Sequence, residues 1–271
     1  MSQNVNWHLA TTCALRIDLR DYESILEYDT EYTLGKNYYR IDLLIIRKIS
    51  DLPISKALAA DFKKVNLFEI KGIGSSVSIQ SYYKMHGYAG LYLDTVWKDR
   101  RLTAKDLTIN FISRSFPMKL FNHLREDCHF TVEKIAPGIY DVINAMYVTR
   151  FIVTKELSPK DYLYLRCLTN KLTPEENLYI KELDLDYYAH KTEPLYVNYV
   201  NEFLETQKGG SPMKKMVTVA ENAFKLMGTT SEAVREQQRQ EDEKYYSAKL
   251  QELSKEISRL QKLLAEHGIR A

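Results

Sequence analysis

Tyr38-Tyr39-Arg40-Ile41-Asp42-Leu43-Leu44-Ile45-Ile46-Arg47 is the stretch on which the fold turns. Its centre is a continuous apolar run, as expected of a strand covered on both faces. Upstream, Ile25–Leu34 has a similar texture, and Gly35-Lys36-Asn37 between the two runs has hairpin length. Before them, Leu9, Cys13 and Ile17 recur at helical steps and predict a helix from Trp7 to about Ile25. Downstream, Asp51–Lys63 reads as a loop with a short helical turn, and Asn66–Lys71 as a third strand broken by Gly72-Ile73-Gly74. A helix is expected from about Ser78 to Tyr92, a fourth strand at Leu107–Ser113 and a short helix at Pro117–Glu126. Two further strands, Cys128–Ile135 and Tyr147–Thr154, have Pro137-Gly138 marking the turn between them. The fold class is α/β (an α+β mixed sheet) with flanking helices.

Residues 1–155 make up this domain, and after about Glu156 the texture becomes helical. Ser158-Pro159-Lys160-Asp161 and Thr173-Pro174-Glu175-Glu176 both read as helix starts: a hydroxyl cap, proline in the first turn and acids near the positive dipole end. Residues 156–206 are therefore a helical extension, followed by a linker and short helix over 207–230. From 231 to 267 a long polar helix is expected. In it Tyr246, Leu250, Leu253, Ile257, Leu260 and Leu264 alternate four- and three-residue steps, the seam of a short coiled coil. It would serve a homodimer or a partner helix; packing on its own protein is the plainer alternative.

The 271 residues carry 38 basic against 36 acidic side chains, a net of +2, which excludes a strongly basic DNA-coating protein and an acidic disordered one. Cys13, Cys128 and Cys167 lie far apart and form no disulfide framework, favouring a reducing compartment. The start lacks a signal pattern, and no apolar run reaches about 18 residues. The expectation is a soluble cytoplasmic protein without a membrane segment.

The strongest chemical constellation is Asp42 on one apolar strand with Glu69-Ile70-Lys71 on the next. Side chains at i and i+2 of a strand share a face, so Glu69 and Lys71 point one way and Phe68 and Ile70 the other. If the strands pair, Asp42 can lie beside Glu69. Two neighbouring carboxylates repel unless a cation neutralises them, and hard oxygen ligands suit Mg²⁺ or Mn²⁺. A lysine beside such an ion can hold a water and stabilise negative charge on a phosphoryl group. The plain reading is a salt bridge between Glu69 and Lys71. Other motifs are weaker: Cys128-His129 with His123 lacks the spacing of a closed zinc site. Gly72-Ile73-Gly74 follows a strand too charged to open a dinucleotide fold.

With these residues the sequence resembles the PD-(D/E)XK phosphodiesterase superfamily, whose restriction-endonuclease-like core runs helix, three strands, helix, strand. More narrowly, it resembles the recombination-promoting nuclease and transposase family. The resemblance rests on Glu31-Tyr32-Thr33-Leu34-Gly35-Lys36, Arg40 through Lys48, Phe68-Glu69-Ile70-Lys71 and Ser78 through Ala89. It covers roughly residues 7–155 well and the region to about 205 more weakly. It implies that Asp42 and Glu69 are metal ligands, with the Ile70 carbonyl completing the inner shell, and that Lys71 positions the water. Asp18 on the first helix is the candidate for a further catalytic acid. Arg40, Gln80, Lys84 and Tyr82 are candidate nucleic-acid contacts, Tyr82 by stacking on bases. Two departures stand out: Ile41 replaces the superfamily's proline, and Gly72-Ile73-Gly74 stands where close relatives tend to have serine-proline. The implied function is Mg²⁺-dependent cleavage of DNA, linked to recombination or mobile elements. Its rivals are a catalytically silent DNA- or protein-binding relative and an interaction protein working through residues 231–267.

Overall fold

Helix α1 (Trp7–Asp18) starts under an Asn6 cap, whose side chain accepts from the Leu9 amide at 3.0 Å. It ends earlier than its apolar pattern predicts, because Arg20–Ile25 winds on as a tighter 3₁₀ turn that delivers the chain to strand β1 (Leu26–Asp29). A two-residue ladder, β2 (Thr33–Leu34) and β3 (Tyr39–Arg40), follows, with Thr33 opposite Arg40. Strand β4 (Leu44–Lys48) then pairs antiparallel with both β1 and β5 (Val65–Ile70). The computed structural model describes residues 6–30, 33–34, 39–40, 44–72, 74–169 and 172–207. All of them fall in one compact unit, Met1–Ser211. Asp42, the linker and the expected helix at 231–267 lie outside the described residues.

Helix α2 (Ile79–Arg100) is capped by Ser78, whose hydroxyl accepts from the Ser81 amide at 3.0 Å. It runs a full two turns past the expected end at Tyr92, stopping where Arg101 takes a left-handed conformation (φ +49°). Strand β6 (Leu107–Ser113) has the expected bounds and lies parallel to β5. After α3 (Met118–Glu126) come β7 (Thr131–Ala136), β8 (Ile139–Ile143) and β9 (Val148–Val153). The order across the seven-stranded sheet is β1-β4-β5-β6-β9-β8-β7. Pro137-Gly138 therefore turns β7 into β8, a strand the sequence pattern does not predict, rather than into β9. Gly138 is required there: its φ is +73°, and a Cβ would lie 2.7 Å from the Val153 carbonyl oxygen.

The pleat sorts side chains by face. Leu44, Ile46 and Phe68 enter a core with α1, while Ile45, Val65 and Leu67 enter a second core with α2 and α3. Within the sheet, buried Asn66 spends its amide on the Ile46 and Lys63 carbonyls, each at 2.9 Å. Its oxygen accepts from the Lys63 amide and the Thr108 hydroxyl. These bonds lock β4, β5 and β6 in register beside the candidate site.

The C-terminal helices α4 (Leu163–Cys167), α5 (Pro174–Ala189) and α6 (Pro194–Gln207) pack into the α1 core. Thr173 and Glu176 form the reciprocal capping box expected at the start of α5. Ser158-Pro159 does not start a helix: the chain makes a turn closed by the Tyr162 amide on the Ser158 carbonyl at 2.9 Å, and α4 begins only at Leu163. Among the described residues, no helix is long and apolar enough to cross a membrane.

Candidate active site

Glu69 and Lys71 sit at the downstream end of β5, where the parallel ladder with β6 finishes. The Lys71 amide still donates to the Ile112 carbonyl at 2.9 Å, which holds the residue beside the sheet after the strand ends. Phe68 and Ile70 face the α1 core, so Glu69 lies on the opposite face, under α2, as the period of two demands. Glu69 is only 5% exposed. Its Oε1 accepts from the Lys71 ammonium at 2.6 Å and from the Lys84 ammonium, on α2, at 2.9 Å. Two cations on one oxygen leave the cluster with an excess positive charge, and the lysine side chains keep 22% and 40% of their surface open. Such a group is poised to attract an anion.

The local sequence explains the arrangement. Glu69 is affordable inside the sheet because two ammoniums compensate its lost hydration. Lys84 reaches it because α2, capped at Ser78, turns its Tyr82, Met85, Ala89 and Tyr92 stripe into the core and brings Lys84 down beside β5. The Lys84 ammonium also sits 5.6 Å from the Tyr88 ring centre. Gly72, directly after Lys71, is pressed under an indole: a Cβ there would lie 2.9 Å from Trp7 Cδ1. Glycine at this position thus permits a close approach of α1 to the site strand. On its other side Lys71 borders a narrow crevice walled by Trp7, Thr11, Arg114 and Leu165.

The remaining predicted residues divide. Gln80 is exposed in the first turn of α2, on the helix that carries Lys84. Tyr82 is 3% exposed and stacks on Phe111 with ring centres 6.2 Å apart, so it is a core residue and has no face to offer a base. The helical period that puts Lys84 at the site puts Tyr82 inside. Arg40 lies in β3, opposite Thr33.

Asp18 belongs to a different structure. Its two carboxylate oxygens accept from the Tyr164 amide at 3.1 Å and the Leu165 amide at 2.9 Å, the second and third residues of α4. It is a remote N-cap, supplied by α1 to a helix whose own Tyr162 makes no side-chain cap bond. Burial pushes its carboxyl up to about 7, against the opposing pull of those two amides and of Lys56 and Arg20. Its contacts support holding α4 rather than binding a metal. The members of α1 that share a crevice with Lys71 are Trp7 and Thr11.

Among the described residues, no three His, Cys, Asp or Glu side chains gather as a metal-ligand group. The donor chemistry of Glu69 nevertheless suits a hard divalent cation, as a carboxylate in a low-dielectric setting. Asp42 stands two residues before Leu44, which pairs with Phe68, the neighbour of Glu69. The sequence reading missed Lys84 as an ion-pair partner of Glu69, although an exposed lysine in the turn after the capped start of α2 was the available signal. It also missed Trp7 and Thr11, for which no spacing rule exists. No protein-family model, curated protein or solved structure matches the chain.

Proposed function

We propose that the chain is a metal-dependent DNA endonuclease of the PD-(D/E)XK type, hydrolysing phosphodiester bonds in a recombination or mobile-element setting. The observation that carries the reading is the pair of ammoniums, Lys71 and Lys84, on one oxygen of buried Glu69 at a strand end. It is supported by the order helix, three strands of the seven-stranded sheet, helix, strand through α1, β1, β4, β5, α2 and β6, with the small β2–β3 ladder inserted after β1. Glu69, the Ile70 carbonyl and Asp42 are the donors for Mg²⁺ or Mn²⁺, which when bound supplies positive charge to the phosphoryl oxygens and acidifies water. Lys71 donates to the attacking water and orients it toward phosphorus. Lys84, the more exposed of the two lysines, takes a backbone phosphate oxygen as the substrate displaces it from Glu69. The product carries a 5′-phosphate, as the family resemblance implies.

A second reading has one observation in its favour. Two ammoniums already compensate Glu69 without any metal, as in a silent relative that binds DNA or a protein partner. Supercoiled plasmid, incubated with wild-type protein and Lys71→Ala in Mg²⁺, Mn²⁺ or EDTA, separates the two. Metal-dependent nicking that disappears in Lys71→Ala supports the nuclease. Metal-independent binding of the plasmid with no nicking, over a range of DNA forms, supports the silent relative.

A further inference from the structure

At the end of α3 four side chains converge, Tyr83 of α2 with His123, Asp127 and Cys128. Cys128 Sγ lies 3.6 Å from His123 Nε2 and 3.5 Å from the Tyr83 hydroxyl, which is itself 2.8 Å from the same Nε2. The other ring nitrogen of His123, Nδ1, is 2.5 Å from Asp127 Oδ2. A carboxylate only accepts, so in the neutral ring Nδ1 carries the proton and Nε2 is the acceptor. The thiol proton thus has two routes to that base, one direct and one through the Tyr83 hydroxyl.

The backbone fixes this geometry. The Asp127 and Cys128 amides both donate to the His123 carbonyl, at 3.0 and 3.2 Å. His129 takes a left-handed conformation (φ +56°), and the Phe130 amide returns to the Leu124 carbonyl at 2.8 Å, closing the helix end. Tyr83 is half exposed and Cys128 partly so, which leaves the sulfur within reach of a small reagent. The other two thiols make the contrast: Cys13 and Cys167 are buried, and burial pushes them up to about 11 and about 12.

We propose that Cys128 is an exchange-active thiol, with His123 as its base, Asp127 orienting that base and Tyr83 relaying the proton, and that its substrates are low-molecular-weight disulfides. Nucleophile, base and orienting carboxylate stand in the order such activation needs. In the step, the Cys128 proton passes to His123 Nε2 and the thiolate attacks one sulfur of the disulfide. A new sulfur–sulfur bond forms to Cys128, the original one breaks, and the departing thiolate takes the proton from His123. One disulfide and one thiol become one mixed disulfide and one thiol, with no other oxidant needed.

The test uses the full chain and 4,4′-dithiodipyridine, following thiopyridone release and locating the label by peptide mass. The first equivalent is expected on Cys128. His123→Ala is expected to slow it roughly threefold or more at pH 7, and Tyr83→Phe by less. Both rates should approach wild type as pH rises and hydroxide takes over the work of the internal base; a change in packing alone would persist at every pH. Tyr83→Phe alters an exposed residue and tests the relay even if His123→Ala fails to fold. A first label on Cys13 or Cys167 would overturn the proposal, as would wild-type rates at pH 7 in both variants.

Discussion

Two places in this sheet hold buried charge, and they are built in opposite ways. At Arg150 on β9, 2% exposed, every guanidinium donor is spent. Nε and Nη2 take the two oxygens of Asp141 at 2.7 Å, Nη2 also takes Asp61 at 2.5 Å, and Nη1 takes the Ala57 and Leu58 carbonyls at 2.6 and 3.0 Å. Two carboxylates serve one cation, which ties β8 and β9 to the loop before β5. At Glu69 the ratio is inverted: two cations share one carboxylate oxygen, and both cations keep open surface. A saturated network rigidifies the fold, whereas an unsaturated one with surplus charge retains free energy to spend on a ligand.

The comparison can be broken first at its closed end. Arg150→Met leaves Asp141 buried and unpaired, and should lower unfolding stability by about 3–5 kcal/mol in urea melts. A loss under about 1 kcal/mol would mean the network is dispensable. Next, Gly72→Ala drives a methyl into Trp7 and should cost roughly 1–3 kcal/mol, read by the same melts and by a change in Trp7 fluorescence.

Asp18 gives a pH-dependent test. Its folded carboxyl titrates near 7, above the ordinary value, so the folded state binds more protons than the unfolded one between about 4 and 7. Its contribution is complete at low pH and is lost as pH rises through 7. Asp18→Asn should flatten the decline in stability between pH 5 and pH 8; an unaltered decline would remove Asp18 as its source. The smallest effect belongs to the open end. Lys84→Met should alter stability by less than about 1 kcal/mol, while reducing the salt slope of DNA binding by roughly one.

These contrasts also mark what the chain reveals in advance. β5 and β6 are legible because an apolar run between polar breaks needs no partner to be recognised. The opposed faces of Phe68 and Glu69 follow from the pleat alone. β8 is not legible, because Asp141 interrupts a five-residue run and its reason, Arg150, comes from another strand. Asp18 shows the same limit: an acid near the end of a helix reads as a solvated or catalytic group, and only the fold brings the unpaired amides of α4 to it. Tyr82 was misplaced for a different reason. Aromatic residues suit both a core stripe and a base platform, and the helical phase that decides between them depends on which face of α2 meets the sheet.

The most direct test of the contrast is to measure unfolding stability and plasmid cleavage on the same preparations of wild type and Lys71→Met. The account predicts a stability change within about 1 kcal/mol together with complete loss of Mg²⁺-dependent nicking. A loss of several kcal/mol with nicking retained would make Lys71 a structural counter-charge like Arg150, and would contradict the distinction drawn between the two clusters.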